Sequence, residues 1–554
     1  MIQKKIILIV SIAILSFSCT SKKENSLPNA TPNIVLIVVD DLGYADMSVT
    51  GNTTDVQTPN IDAIAANGTR FTNAYATSSI CSPSRGGLIT GSYQQRWGTF
   101  WYGGKGIHNA NYKTIPELLK QKNYATGYVG KVHYGSYESD TTNRSFPLNH
   151  GFDYYYGHTS PRKHYLNHTD VIESDFQSVK KENKRKGQSL RQQAFWNNTQ
   201  KADTIGFSTE IFGLKARNFI GKNKEKPFFL QLSFNAVHNF THQLPKEYLS
   251  KNGLKGYHDW DPSKEEYYDW YQKGRYPNNP EGRAQYLGQL HFLDKEIGKV
   301  TTFLKENNLA ENTIVILVSD NGGSTPIYAN NTPFRGSKYT LYEGGIRVPL
   351  IISYPKKYQK GKTSNNLVSA MDVLPTICNA VGIEIPKNID GLDISNLLNG
   401  TNNKLHHNYL VWDNNAQTAV RKGKWKLRTA SEKAKANSDY EMVEMQYGEY
   451  LYNLDIDPGE TTNLAKGFPE IFNEIPSMKP SEELLRAEIF KPHQSAYAEE
   501  TESSLSSTFR SFKSPVVVTL FTRWVNVSIF PSVVCLLIEC QTINTMLIHS
   551  LVFI

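Results

Sequence analysis

Cysteine is scarce in this chain, with five among 554 residues, at positions 19, 81, 378, 535 and 540. An odd and scattered set makes no disulfide framework, so each thiol needs its own explanation. There is no zinc-finger spacing, no P-loop and no Gly-x-Gly-x-x-Gly fingerprint, which removes the simplest zinc- and nucleotide-binding readings. No internal repeat is visible. Excess charge is modest too. A net +8 with 20% charged residues suits an anionic substrate but falls far short of the dense basic surface of a nucleic-acid binder. The 12% aromatic content argues against disorder. The length allows about two to four domains and a large core.

Long apolar runs are equally rare. The chain opens MIQKKIILIVSIAILSFSC, with Lys4 and Lys5 ahead of an apolar run from Ile6 to Phe17. At about a dozen residues this run is short for a bilayer span, and residues 1–18 read as a signal peptide. The segment LSFSC resembles a bacterial lipobox, in which Cys19 is lipidated (palmitate included) and becomes the first mature residue. A plain secretory signal is the alternative. The lipobox implies an exported protein held by lipid to the outer membrane, with residues 19–32 as a flexible tether. At the other end, residues 504–554 are apolar but interrupted by Arg523, Pro531 and Glu539. This is a poor membrane span and reads as an atypical tail or as non-native sequence. Cys535 and Cys540 lie in it and are assigned no chemistry.

Between these ends the pattern is regular. NIVLIVVDD, from Asn33, is a continuous apolar run closing in Asp40 and Asp41, as expected of a strand buried on both faces of a parallel sheet. TPNIDAIAANG offers Thr58 as an N-cap, Pro59 at the first helical position and Gly68 as a stop. YATGYVG, PFFLQLSF and NTIVILVSD are further strand candidates, and RAQYLGQLHFLDKEIGKVTTFLKENN is a long helical stretch. Strands alternating with helices imply an α/β domain over residues 33–404 with a large mixed, mostly parallel sheet. Ligands bind such sheets at the carboxyl ends of the strands, where Asp40, Asp41 and Asp320 fall. Over residues 405–503, AVRKGKWKLRTA and GEYLYNLDIDPGETTNL predict a smaller antiparallel sheet with its own helix.

Asp40, Asp41, Asp320 and Asn321 offer only hard oxygen ligands from two strand ends. That set suits calcium, with magnesium second, and not zinc. Capping or surface solvation is the bland alternative for each acidic pair.

The stretch SSICSPSRGGLITGS sets Cys81 ahead of Pro83 and Arg85 in a polar, glycine-rich setting. It resembles the Cys-x-Pro-x-Arg signature of the formylglycine-dependent type I sulfatases, arylsulfatase-like members of the alkaline phosphatase superfamily. A small buried cysteine at a helix start is the alternative for the pentapeptide alone. Other segments match in order over roughly residues 33 to 465: NIVLIVVDDLGYADMS, GYVGKVHYG, KPFFLQLSFNAVHNF, VILVSDNGG, PFRGSKYTLYEGGIRVPLII, RKGKWKL and LYNLDIDPGETTNL. Val237 stands before His238 where the family commonly has proline, and Val132 replaces a frequent tryptophan between Lys131 and His133. Neither departure alters a charged or nucleophilic group.

The resemblance implies an alkaline-phosphatase-like fold and hydrolysis of sulfate monoesters. It implies that Cys81 is converted to formylglycine (3-oxoalanine) by a formylglycine-generating or anaerobic sulfatase-maturating enzyme. Asp40, Asp41, residue 81, Asp320 and Asn321 would hold one Ca2+. Lys131, Lys338 and Arg85 would hold sulfate and nucleophile by fixed positive charge. One hydroxyl of the hydrated aldehyde attacks sulfur, His238 with Lys338 protonates the departing sugar oxygen, and His133 takes the proton of the second hydroxyl as sulfate leaves. The substrate is expected to be a sulfated poly- or oligosaccharide, a marine algal one such as ulvan favoured, with a glycosaminoglycan open. Arg96, Trp97, Trp101 and Arg335 are the expected substrate contacts. The aromatic stretch YHDWDPSKEEYYDWYQKGRYP and the basic stretch KKENKRKGQSLRQQ are further candidates for sugar subsites. The rival readings are a phosphonate monoesterase or phosphodiesterase of the same superfamily, and a non-catalytic glycan-binding lipoprotein.

Overall fold

A computed structural model describes residues 31–135, 140–159, 164–167, 195–202, 204–258, 264–401, 407–435 and 443–475. The signal peptide, Cys19, most of the tether, the basic stretch and the apolar tail lie outside the described residues. Among the described residues no helix is long and apolar enough to cross a membrane.

The run from Asn33 forms strand β1 (Asn33–Val39), every residue of it buried. Its neighbours explain why. It pairs in parallel with β10 (Thr313–Ser319) on one side and β9 (Phe228–Ser233) on the other. β9 pairs in parallel with β3 (Ala125–Lys131), and β3 with β4 (Tyr154–His158). Antiparallel and edge strands complete a ten-stranded sheet, which includes β2 (Thr69–Tyr75), β6 (Phe195–Asn197), β7 (Gln200–Ala202), β11 (Leu350–Ser353) and β12 (Lys362–Ser369), while β5 (Leu166–Asn167) and β8 (Gly206–Phe207) pair by themselves. Pleating sends alternate residues to opposite faces. Val35, Ile37 and Val39 thus join one core cluster, with Phe212 and Ile220 of the helix Ser208–Asn223 and Leu293 and Ile297 of the helix Gly282–Glu306. Ile34, Leu36 and Val38 join the other, with Leu88 and Ile89 of the helix Cys81–Thr90 and Leu374 and Ile377 of the helix Val373–Val381. Each such side chain contributes ~1.5–3 kcal/mol by leaving water. The sheet is therefore sandwiched between two helical layers, as the alternating pattern predicts.

The helix Pro59–Ala66 begins with Pro59 at its first position, but Thr58 does not cap it with its side chain. The Thr58 hydroxyl instead accepts from Ser48 N at 2.9 Å, so tertiary contact displaces the expected cap.

A separate four-stranded antiparallel sheet runs β13 (Leu410–Asp413), β14 (Gln417–Lys422), β15 (Trp425–Ala430), β16 (Gly448–Asn453). The helix Pro469–Glu474 brings Ile471 and Phe472 against its Val420, Leu427 and Leu451.

Candidate active site

Parallel pairing of β10, β1, β9 and β3 in that order sets four carboxyl ends side by side on one edge of the sheet. The chain leaves β1 at Asp40 and Asp41, β10 at Asp320 and Asn321, and β3 at Lys131 and His133, while His238 follows β9 by five residues. Two strands approach closely here. Gly130 on β3 has φ +113°, and a Cβ there would meet Ser233 O at 1.8 Å, so only glycine fits. Cys81 opens a helix buried along its whole length, which Gly91 ends at φ 65°.

The charged groups interlock. Lys131 Nζ donates to Asp40 Oδ2 at 2.5 Å. Arg85 donates from Nε to Asp320 Oδ2 at 2.8 Å and from Nη1 to Ser233 Oγ at 2.6 Å, and its Nη2 lies 3.5 Å from Asp40 Oδ1. Lys338 Nζ is 2.8 Å from Asp41 Oδ1, and His238 Nε2 is 3.6 Å from Asp41 Oδ2. Asn321 Nδ2 donates to Asp41 Oδ1 at 2.6 Å. Cys81 Sγ lies 3.8 Å from the same oxygen. Ligand-capable atoms of Asp40, Asp41, Cys81 and His238 all fall within 4.8 Å of one another. Asp41 and His133 both hold left-handed backbone, at φ 58° and 50°, a strain that neighbours must impose.

Dehydration and crowding set the proton affinities. Burial, opposed by Lys131, pushes the Asp40 carboxyl up to about 7. Burial acts the same way on Asp320, but Arg85, Lys131 and Lys338 override it and hold that carboxyl below its ordinary range. Burial, reinforced by Lys131, Arg85 and Lys338, drives the His133 imidazole well down, so it is neutral near pH 7. The Cys81 thiol is pushed far up by burial, against the pull of Lys131 and Lys338. An unmodified Cys81 is thus protonated and a weak nucleophile.

Asp40, Asp41, Asp320 and Asn321 fit a hard divalent cation. Among the described residues Asp40 Oδ1 and Asn321 Oδ1 are buried without a hydrogen-bond donor, the condition under which oxygens profit from a metal ion.

Residues 32–383 match the family described as Sulfatase, and residues 336–478 the one described as N-sulphoglucosamine sulphohydrolase, C-terminal. The chain belongs to the sulfatase family. It is 28% identical over 492 residues to an arylsulfatase of Hemicentrotus pulcherrimus, covering 82% of this chain and 81% of that one. It is 29% identical over 548 residues to an N-acetylgalactosamine-6-O-sulfatase of Bacteroides thetaiotaomicron, covering 86% and 98%. The crystal structure of Ps i-CgsB in complex with k-i-k-neocarrahexaose is similar at TM-score 0.68 and 27% identity, covering 87% of this chain and all of that one (100%). As a sulfatase the chain is a sulfuric ester hydrolase, and its fold is that of its sulfatase neighbours.

The sulfatase brings Cys81, Arg85, Lys131, His133, His238, Lys338 and the four oxygen-bearing residues to one strand edge. Of the expected substrate contacts, one lies in the core and two arginines hold polar partners. Trp97 is 5% exposed and packs in the core against Tyr112, so it cannot stack on a sugar. Arg96 is committed to Asp390 through Nε at 2.7 Å and Nη2 at 2.5 Å. Arg335 donates to the carbonyls of Glu444 and Glu460 at 2.8 and 3.3 Å. Trp101 remains half-buried beside Tyr339, the residue after Lys338. In the aromatic stretch, Trp270 and Tyr271 are buried. Sequence reasoning missed Ser233 under Arg85, and Tyr165, whose hydroxyl donates to Asn235 O and His238 O at 2.8 and 2.9 Å. Nothing in the spacing of either residue marks it.

Proposed function

We propose that this sulfatase releases inorganic sulfate from a sulfated saccharide, with residue 81 acting as formylglycine beside a calcium ion. The observation that carries this reading is the meeting of Cys81, Asp41, Lys338 and His238 around a few oxygen atoms. The cation would be held by Asp40, Asp41, Asp320 and Asn321, and would supply fixed positive charge to the sulfate and the nucleophile.

The chain's own groups supply the rest. Lys131, Lys338 and Arg85 offer donors to sulfate oxygens in a site that excludes water, where such charge acts strongly. Asp320, held ionised, can take the proton of the attacking hydroxyl. His238 faces the same aspartate as Lys338 and is placed to protonate the leaving sugar oxygen. His133, neutral and with no partner for Nδ1 among the described residues, is a base for the proton released when sulfate departs.

The relatives named N-acetylgalactosamine-6-O-sulfatase and solved with k-i-k-neocarrahexaose support a saccharide over a small aryl ester. Marine algal polysaccharides such as ulvan are the class to test first, beside glycosaminoglycans. The test is a panel of sulfated oligosaccharides with free sulfate and product linkage measured, alongside a phosphodiester. Saccharide desulfation with a formylglycine-mass peptide at position 81 is expected. Faster phosphodiester turnover, or an intact thiol in active exported protein, would overturn the reading.

We also infer from the sequence a maturating enzyme as partner, and export with lipid on Cys19. Radiolabelled palmitate should be incorporated by the parent and not by Cys19→Ala.

A further inference from the structure

We infer that Trp101, Tyr102 and Tyr339 form the platform on which the sugar ring bearing the sulfate rests. This rests on the saccharide sulfatase reading above and names the part of the chain that would recognise the sugar rather than the sulfate.

Three observations place the platform. Tyr339 follows Lys338 directly, and Lys338 Nζ stands 5.5 Å from the Tyr339 ring centre while also pairing with Asp41. Tyr339 N donates to Ser79 O at 2.9 Å, two residues before Cys81. The loop carrying Trp101 and Tyr102 passes against Gly135, two residues after His133, so tightly that a Cβ on Gly135 would meet Gly104 O at 2.2 Å. Tyr339 and the loop carrying the other two rings are thus anchored beside the nucleophile, a sulfate-holding lysine and the proposed base.

The rings are arranged as a wall rather than as core. Trp101 lies 5.5 Å from Tyr339 at 31°, and 5.6 Å from Tyr102 at 38°. Tyr102 meets Tyr339 at 6.5 Å and 62°. None of the three is fully buried, and Tyr102 is 46% exposed. An exposed tyrosine in a partly buried aromatic group, next to cations that would fix a sulfate, matches the two halves of a sulfated sugar: an apolar ring face and an anionic substituent. Tyr339 also holds φ 67°, an unfavourable backbone for a tyrosine that puts strain at this spot. Hydrogen bonds to Ser79 O and from Gln417 Nε2 hold that backbone, so the ring is presented from a fixed position.

The test compares a sulfated oligosaccharide that the parent turns over with a small aryl sulfate. Trp101→Ala and Tyr102→Ala should lower kcat/KM on the oligosaccharide about tenfold more than on the aryl ester, chiefly through KM. Tyr102→Phe, which keeps the ring, should restore most of the loss. Equal losses on both substrates, or no loss on either, would overturn the inference. Calorimetric binding of the oligosaccharide to Cys81→Ala, with and without Trp101→Ala, separates the two readings. Parent turnover of the aryl ester with no saccharide binding defeats the platform and leaves the sulfatase reading standing. Saccharide binding that needs Trp101, with no turnover of any sulfate ester, defeats the reaction and leaves the platform standing.

Discussion

Two of the clusters of buried charge among the described residues use their oxygens differently. In the one that joins the small sheet to the large, Glu343 Oε1 faces Lys426 at 2.9 Å and Oε2 accepts from Tyr75 at 2.6 Å. Glu460 Oε1 lies 3.0 Å from Lys426, and its Oε2 accepts from Glu343 N at 2.5 Å. Three of these four carboxylate oxygens accept a hydrogen bond, and the fourth, Glu460 Oε1, has the Lys426 ion pair at 3.0 Å without hydrogen-bond geometry. At the strand edge, among the described residues, Asp40 Oδ1 has no donor closer than Arg85 Nη2 at 3.5 Å, and Asn321 Oδ1 has no hydrogen-bond partner. Backbone strain does not tell the clusters apart, because Glu460 holds φ 53° as Asp41 holds 58°. The longer cation distance at Asp40 Oδ1 does, together with a cysteine and histidines in reach. A donor or cation close to every carboxylate oxygen holds structure together, whereas the strand edge adds a cysteine and histidines to its looser carboxylates.

The contrast can be broken by substitution, and the largest effect belongs to the strand edge. Cys81→Ala should lower sulfate ester turnover by ~10⁴-fold or more, as removal of a covalent nucleophile does. The melting temperature should stay within a few degrees of the parent. A folded variant that retains turnover would show the nucleophile to be elsewhere. Lys426→Met should do the reverse. It strands buried Glu460, while Glu343 keeps Arg347 at 3.2 Å, and should cost ~3–5 kcal/mol, read as a lower denaturant midpoint, while kcat per folded molecule is kept. Loss of kcat without loss of stability would merge the two clusters into one functional unit.

The next effect links cation and proton. With Asp40 held at about 7 against an ordinary 3.8, the folded state keeps a proton that the unfolded state releases. Without a divalent cation, stability therefore falls as pH rises through that window of about three units, at ~1.4 kcal/mol per unit and so ~4 kcal/mol at most. A cation bound to the ionised carboxylate offsets this loss. Chelation should consequently lower the melting temperature more at pH 8 than at pH 5, and calcium should restore it. A chelation effect independent of pH would remove Asp40 from the ligand set.

How much of this was legible in the sequence follows from what each feature depends on. β1 and β10 were readable because full burial on both faces demands an unbroken apolar run, and the aspartates stand out where that run stops. The lysines and histidines came from ordered motif resemblance, not from local pattern. Trp97 was misplaced because an aromatic beside a nucleophile reads alike whether it turns toward the core or the cleft. The partners of Arg335, the carbonyls of Glu444 and Glu460, come from more than a hundred residues away and could not be read locally. The cluster of Glu343, Lys426 and Glu460 stayed invisible for the same reason. Pairing across such distances leaves no periodic trace.

The smallest effect tests whether the two sheets are functionally separate. Gln417 on β14 is 1% exposed and reaches out of the small sheet to the loop that carries Lys338. Its Nε2 donates to Tyr339 O at 3.0 Å, and its Oε1 accepts from Leu341 N at 3.0 Å. Gln417→Ala removes both bonds, each worth ~1 kcal/mol, and should lower kcat about tenfold by loosening Lys338. A purely structural role would lower stability and leave kcat of the folded fraction alone. The decisive comparison is a double-mutant cycle. If Gln417 acts by positioning Lys338, then Gln417→Ala should add little to the kcat loss already caused by Lys338→Ala, because the group it places is gone. Additive losses in kcat would mean that the small sheet reaches the chemistry by a route other than that lysine.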